Sequence, residues 1–256
     1  MRAAASIKNL VRRVPGLNGL LKHFDFQSNL DAYIIEQLAA LPAGGTILDA
    51  GCGSQRFRAH CAHLTYKAQD FGAFENEAKR TFVTPFLEGN EVSGYADEGY
   101  RYGKLDYVGD IWSIDERDAY FDAILCTEVL EHIPYPIEAV REFARLLKPG
   151  GTLILTAPSA CLRHMDPFFF QTGLSDRWYE TILPQAGFEI ERLDQVGDYY
   201  AWMAYELGRS ALTHSFLAKL ALLPAFLFFN SRTPTETSRN SLCFAYRVVA
   251  TRKSDL

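Results

Sequence analysis

The sequence predicts an α/β fold, a doubly wound and mostly parallel sheet with helices on both faces. Two observations predict it. Short apolar runs that read as strands alternate along the chain with longer runs at helical spacing. The first strand run, "GTILDAG" at 45–51, ends in a carboxylate and a glycine, the pattern of a buried strand entering a tight turn.

The elements follow in order. "AYIIEQLAALP" places Tyr33, Ile34, Leu38 and Leu41 on one helical side, and Pro42 stops it. After "GTILDAG", "RFRAHCAHL" continues as helix. "YKAQDF", "LDYVGD" and "YFDAILCT" are the next three strands, followed by a helix from Ile137 to Leu147. "KPGG" at 148–151 is a turn by composition, and "TLILTAPS" is a fifth strand. "DRWYETILPQAGF" reads as helix, "EIERLDQVG" as strand, and "LCFAYRVVATRK" as the last strand.

Composition bounds the function. With 256 residues, 48% of them hydrophobic, the chain can bury a sizeable core. Its formal net charge of -5 disfavours a dedicated nucleic-acid binder. Five scattered cysteines without a Cys-x-x-Cys pair exclude a disulfide framework or a zinc ribbon and point to a reducing cytoplasm. Residues 1–30 form a basic, amphipathic extension without the apolar core of a signal peptide. The main domain spans 31–256. It carries a lid-like insertion at 71–109, where Tyr95, Tyr100 and Tyr102 are placed to stack on a ring, and an apolar helical insertion at 203–232. Within the latter, "FLAKLALLPAFLFF" is too short to span a bilayer; it packs on the domain or makes a peripheral membrane contact.

Open parallel sheets bind ligands beyond the carboxyl ends of their strands, so strand ends are where chemistry belongs. Gly51 and Gly53 follow the first strand, and Asp70 ends the second at the spacing of a carboxylate that grips ribose hydroxyls. Asp110 ends the third, placed to accept from an adenine amino group. Together they predict an adenosine site. The third glycine of a dinucleotide turn is missing, as Arg56 stands in its register, so a cofactor without phosphates fits better.

"ILDAGCG", Asp70, Asp110, "FDAILCTEVLEHI", "LLKPGG" and "LILTAPS", in this order, resemble the class I S-adenosylmethionine-dependent methyltransferases, over about Asp31 to Arg252. The resemblance implies a seven-stranded Rossmann-like sheet with an antiparallel last strand. It implies that Asp49, Gly51 and Gly53 border the methionine part of S-adenosylmethionine, that Asp70 holds the ribose, and that Asp110 with the Ile111 amide holds the adenine. It places Thr127 and Glu128 near the sulfonium. Gln55 stands where the family often has a further glycine. A narrower set, "GCGSQRFR", "HMDPFFFQTG" and "VGDYYAW", is similar to bacterial methyltransferases of cell-surface polysaccharide and glycolipid pathways, with Gln171 in place of their arginine.

Methyl transfer to a hydroxyl needs alignment and a base. Of six histidines only His132 and His164 follow strands that end at the site, so His132, His164 and Glu128 are the catalytic candidates. If the turn "TEVLEHI" is helical, Glu128, Glu131 and His132 share a face. This Glu-x-x-Glu-His run resembles the metal motif of quinone-pathway and small-RNA methyltransferases. The sequence reading assigns no metal; Mg²⁺ on Glu128, Glu131, His132 and His164 is its alternative. The expected activity is O-methylation of an envelope glycan or glycolipid precursor. The alternatives are a quinone- or lipid-type O-methyltransferase and a cofactor-binding partner protein without turnover.

Overall fold

The apolar strand runs become the centre of one seven-stranded sheet. The computed structural model describes residues 26–72, 102–165 and 167–254. Most of the N-terminal extension and of the 71–109 insertion, including Tyr95 and Tyr100, lies outside the described residues, as does Asp166. Helix α1 (Phe26–Ala40) leads into β1 (Thr46–Ala50), β2 (Thr65–Asp70), β3 (Tyr107–Val108) and β4 (Phe121–Thr127). Then come α2 (Pro136–Leu146), β5 (Leu147–Pro158), α3 (Asp176–Gln185), β6 (Phe188–Val196), α4 (Tyr199–Thr213), α5 (Phe216–Asn230), α6 (Glu236–Ser241) and β7 (Ala245–Arg252).

The strand order is β3-β2-β1-β4-β5-β7-β6. The strands from β3 to β5 pair in parallel, and β7 runs antiparallel between β5 and β6. The chain winds outward from β1 to β3, then returns to the other side of β1 as β4. Beyond the carboxyl ends of β1 and β4 this reversal opens the crevice in which such sheets bind ligands.

Alternation along the strands fills both faces. Leu48, Ala50, Ile124 and Cys126 join one core with α2 and α3 residues such as Phe143, Tyr179 and Leu183. Ile47, Ala123 and Leu125 join the other, against Leu30, Tyr33, Ile34 and Leu38 of α1. Burial on both faces explains why these strands read as continuous apolar runs.

Two local expectations are corrected. The helix expected in "RFRAHCAHL" is a single 3₁₀ turn, Arg58–Cys61. Gln55 just before it takes the left-handed backbone (φ 59°), and the chain re-enters the sheet at Thr65 before an α-helix can propagate. The turn expected at "KPGG" lies within β5, with Gly150 at φ 76°. Phe121 pairs with Leu147 but Ala123 with Thr152, so the extra residues are absorbed as a bulge rather than ending the strand.

Candidate active site

At the end of β1 the chain must turn in little space. Gly51 has φ 69°, and a Cβ there would come within 2.5 Å of the Val129 side chain from the loop after β4. The Gly51 amide donates to the Gln69 carbonyl at 2.9 Å and to Gln69 Oε1 at 3.0 Å. Gln69 Nε2 in turn donates to the Gly109 carbonyl at 2.7 Å, tying the ends of β2 and β3. Asp70 Oδ2 accepts from the Gly53 amide at 2.9 Å. Burial raises the Asp70 carboxyl, while the amides of Gly53 and Gly72 and the nearby Tyr102 hydroxyl pull it back down.

Beyond β4 the chain makes a second tight turn. Glu128 sits at φ 55°, a left-handed conformation that is costly for a residue with a Cβ, and its amide donates to the Thr156 carbonyl at 2.9 Å. A 3₁₀ turn, Leu130–His132, follows. The loop after β5 is fastened onto it: the amides of Phe170 and Gln171 donate to the Glu131 carbonyl at 3.0 and 3.2 Å. His132 Nδ1 lies 2.6 Å from the Phe168 carbonyl, so in the neutral ring it carries the proton and leaves Nε2 as the acceptor. Glu131 Oε1 is 3.5 Å from that Nε2. The rings of His132 and His164 meet edge to face at 4.7 Å, and His164 Nδ1 is pinned to the Leu162 carbonyl at 2.8 Å.

The electrostatics of this half are those of burial. Burial pushes the Glu128 carboxyl up to about 7, against the Thr156 hydroxyl beside it. Glu131 is raised further, first by burial and then by the Glu128 charge. Burial, with His164 alongside, lowers His132 to about 4. Glu128 Oε1 and Glu131 Oε2 are buried without a hydrogen-bond partner among the described residues.

Between these halves lies a cavity of about 280 Å³. Gly51, Asp70, Asp110 and Ile111 line one side; Glu128 and His132 line the other; Phe71, Trp112, Ile133, Met165, Phe168 and Phe170 make the apolar remainder. Phe71 and Phe168 close it edge to face at 4.9 Å.

Residues 22–214 match the protein family described as "Methyltransferase domain". The chain belongs to this family. It carries a methyltransferase domain. Among curated proteins it is similar to the ubiquinone biosynthesis O-methyltransferase of Xanthomonas oryzae, 29% identical over 63% of this chain and 61% of that protein. The chain thus spans about three-fifths of that relative's length. Among solved structures it is similar to the YcgJ protein of Bacillus subtilis, with TM-score 0.50, 16% identity and coverage of 88% of this chain and 98% of that one. It is also similar to a geranyl diphosphate methyltransferase solved with that substrate and sinefungin, with TM-score 0.51, 13% identity and coverage of 88% and 77%. At these identities the structural likenesses carry the fold alone.

Gly51, Asp70, Asp110, Ile111, Glu128 and His132 all line this cavity. Asp49, Gly53, Thr127 and His164 are not among its lining residues. Asp49 is buried on the α1 side of the sheet, where its Oδ2 accepts from the Tyr66 hydroxyl and burial pushes its carboxyl up to about 7. It braces the glycine turn from below. Gln55 reaches across to the Lys104 carbonyl at 2.9 Å and holds the returning end of the insertion against the turn.

The helical face expected to unite Glu128, Glu131 and His132 does not form, because Glu128 precedes the 3₁₀ turn in a left-handed conformation. Ligand atoms of Glu131, His132 and His164 do lie within 4.8 Å of one another, without Glu128. Two imidazole nitrogens and one carboxylate are a donor set for a borderline ion such as Mn²⁺ or Zn²⁺; Mg²⁺ prefers six oxygens and does not fit it.

Sequence reasoning singled out none of Phe71, Trp112 and Met165, although Phe71 falls in the lid-like insertion at 71–109 and Met165 in the candidate specificity segment "HMDPFFFQTG". The first two follow the strand-ending Asp70 and Asp110 by one and two residues, so the rule that found the aspartates could have found them. Met165 gave no such signal, since it enters through its own left-handed turn (φ 57°).

Proposed function

We propose that the methyltransferase transfers the methyl group of S-adenosylmethionine to a hydroxyl of an apolar, ring-bearing acceptor of quinol or lipid type, with His132 receiving the proton. The observation that carries this reading is the cavity wall. His132 lines the cavity together with the apolar Phe71, Trp112, Ile133, Met165, Phe168 and Phe170, and the Phe168 carbonyl on its Nδ1 leaves Nε2 as the basic atom. The same cavity takes the cofactor on its Asp70 and Asp110 side, so the acceptor meets only the apolar remainder. A glycan would leave most of its hydroxyls unpaired against these walls, at a cost for each.

S-adenosylmethionine supplies an electrophilic methyl on a sulfonium, a good leaving group. The chain's part is to align and to accept a proton. Asp70 and Asp110 are placed for the cofactor's ribose and adenine. Phe71 and Phe168 hold the acceptor ring, which brings its oxygen toward the methyl carbon. As the carbon–oxygen bond forms and the carbon–sulfur bond breaks, the hydroxyl becomes strongly acidic. A base with a pKa as low as that of His132 can then take the proton on Nε2, while the Phe168 carbonyl holds the Nδ1 proton. Burial raises the Glu131 carboxyl and so disfavours a charge in that corner.

The test is an acceptor panel with labelled S-adenosylmethionine. Catechols and short-chain quinols are expected to be methylated. Turnover confined to isolated glycan precursors would overturn the acceptor class and leave the methyltransferase chemistry in place.

A further inference from the structure

Helix α5 is apolar on both its inner and its outer side. Phe229 turns inward against Tyr199 and Tyr200 of α4 at 6.2 and 6.4 Å between ring centres. The opposite stripe faces outward: Phe216 is 77% exposed, Leu217 75% and Leu220 57%, with Leu223, Leu227 and Phe228 also exposed. A solvent-facing helix normally carries charge on that side. These residues recur three or four apart, so they form one continuous apolar strip, the kind of patch that marks an interaction surface.

Charge says what meets it. The chain is acidic overall, yet residues 207–235 contain no Asp or Glu and hold Arg209, Lys219 and Arg232. Lys219 lies exposed within the strip. The Arg232 guanidinium sits over the Phe228 ring at 4.0 Å, at the strip's carboxyl end. Residues 1–24 add Arg2, Lys8, Arg12, Arg13 and Lys22 with no acidic residue. The first described residue, Phe26, lies beside α4: its ring stacks on Phe244 at 4.6 Å and meets Tyr205 of α4 at 5.4 Å. Apolar side chains interleaved with snorkelling cations fit a negatively charged lipid surface. A second copy placed face to face would instead set these cations against one another. At fifteen residues, and with no described helix long and apolar enough to cross a membrane, α5 can lie on a bilayer but not span it.

We propose that the outer strip of α5, with Lys219 and Arg232, seats the protein on an anionic bilayer surface. Position supports the role. β5 and β6 both run antiparallel to β7, so β6 points the same way as β4. Helix α4, which follows β6, therefore leaves from the end of the sheet where the cavity opens. Helix α5 packs back on α4 through Phe229. This surface does not depend on the identity of the acceptor.

Flotation of the full chain with vesicles tests it. Wild-type protein is expected to float with phosphatidylcholine vesicles containing phosphatidylglycerol, and about tenfold less with phosphatidylcholine alone. L220E/L227E is expected to abolish flotation, and K219E/R232E to lower binding to the anionic vesicles about tenfold without changing the little seen on neutral ones. Cofactor affinity measured by calorimetry is expected to be unchanged in both variants, which shows that the fold survives. The proposal is overturned if the wild type stays in the soluble fraction with anionic vesicles, or if L220E/L227E floats as well as wild type. It is also overturned if the strip proves to bury a second copy, seen as a sedimenting dimer that L220E/L227E dissociates.

Discussion

The two walls of the cavity solve opposite problems. On the cofactor wall the polar groups already have partners within the fold: Asp70 accepts from Gly53, and Gln69 bridges Gly51 and Gly109. On the acceptor wall Glu128, and Glu131 next to it in the turn, each hold a buried oxygen without a described partner; Glu128 and Met165 take left-handed backbone conformations, as Gln55 does beside the glycine turn. Gly51, Gly53, Gln69 and Asp70 of the first wall are bonded within the fold before anything binds. The second stores desolvation and backbone strain that a ligand can relieve, and such features gather where chemistry is done. Positioning is thus invested in the cofactor, and reactivity in the loops after β4 and β5.

The largest effect that separates the walls is expected for His132→Ala. Turnover should fall by about 10²- to 10⁴-fold, the usual worth of a general base, while the cofactor affinity stays within about threefold. Loss of cofactor binding in this variant would merge the two walls. In the wild type His132 is neutral above about pH 4, so turnover should stay level from neutral pH down to well below the normal histidine range. Chelators should leave it intact. Loss with EDTA that Mn²⁺ restores and Mg²⁺ does not would transfer the role to a metal on Glu131, His132 and His164.

Asp70→Ala comes next and should act on the other wall alone. Losing a buried carboxylate that braces Gly53 and faces the cofactor should weaken S-adenosylhomocysteine binding about 100-fold by calorimetry. A smaller change with lost turnover would place Asp70 on the acceptor side. Phe168→Ala should be milder: the ring supplies apolar surface and its contact with Phe71, so the acceptor KM should rise about tenfold with kcat nearly kept. An unchanged KM would remove Phe168 from the acceptor's path.

The cofactor wall was the legible one. Its residues sit at strand ends, and strands announce themselves by apolar runs, so Gly51, Asp70 and Asp110 could be placed by counting, while Ile111 came from the family resemblance. The acceptor wall is made of loops whose shape is set by contacts distant in sequence. His132 owes its tautomer to the Phe168 carbonyl, and Glu131 its register to Phe170 and Gln171, all from a different loop. No local pattern encodes those bonds. The same limit applies at Glu128, where a helical "TEVLEHI" would put three side chains on one face but tertiary packing imposes a left-handed residue. Residues 56–64 have helical spacing too, yet the short return to β2 leaves space for one 3₁₀ turn.

The smallest effect tests whether the acceptor wall truly stores energy. Glu128→Gln keeps the shape of the side chain and removes its charge. In the folded chain burial raises the Glu128 pKa from its usual 4.5 to about 7. Between those values the folded state holds a proton that the unfolded state has released. Stability contributed by this group is therefore full below about pH 4.5, declines as pH rises through 7, and is level above it. The glutamine variant lacks this decline. Relative to wild type its melting temperature should gain about 3–6 °C between pH 5 and pH 8, which corresponds to about 1–2 kcal/mol. The opposite trend from His132, whose lowered pKa favours the folded state as pH rises, is common to both proteins and cancels in the difference. A difference that does not change with pH would mean that Glu128 is already solvated, and that the acceptor wall is no more strained than the cofactor wall.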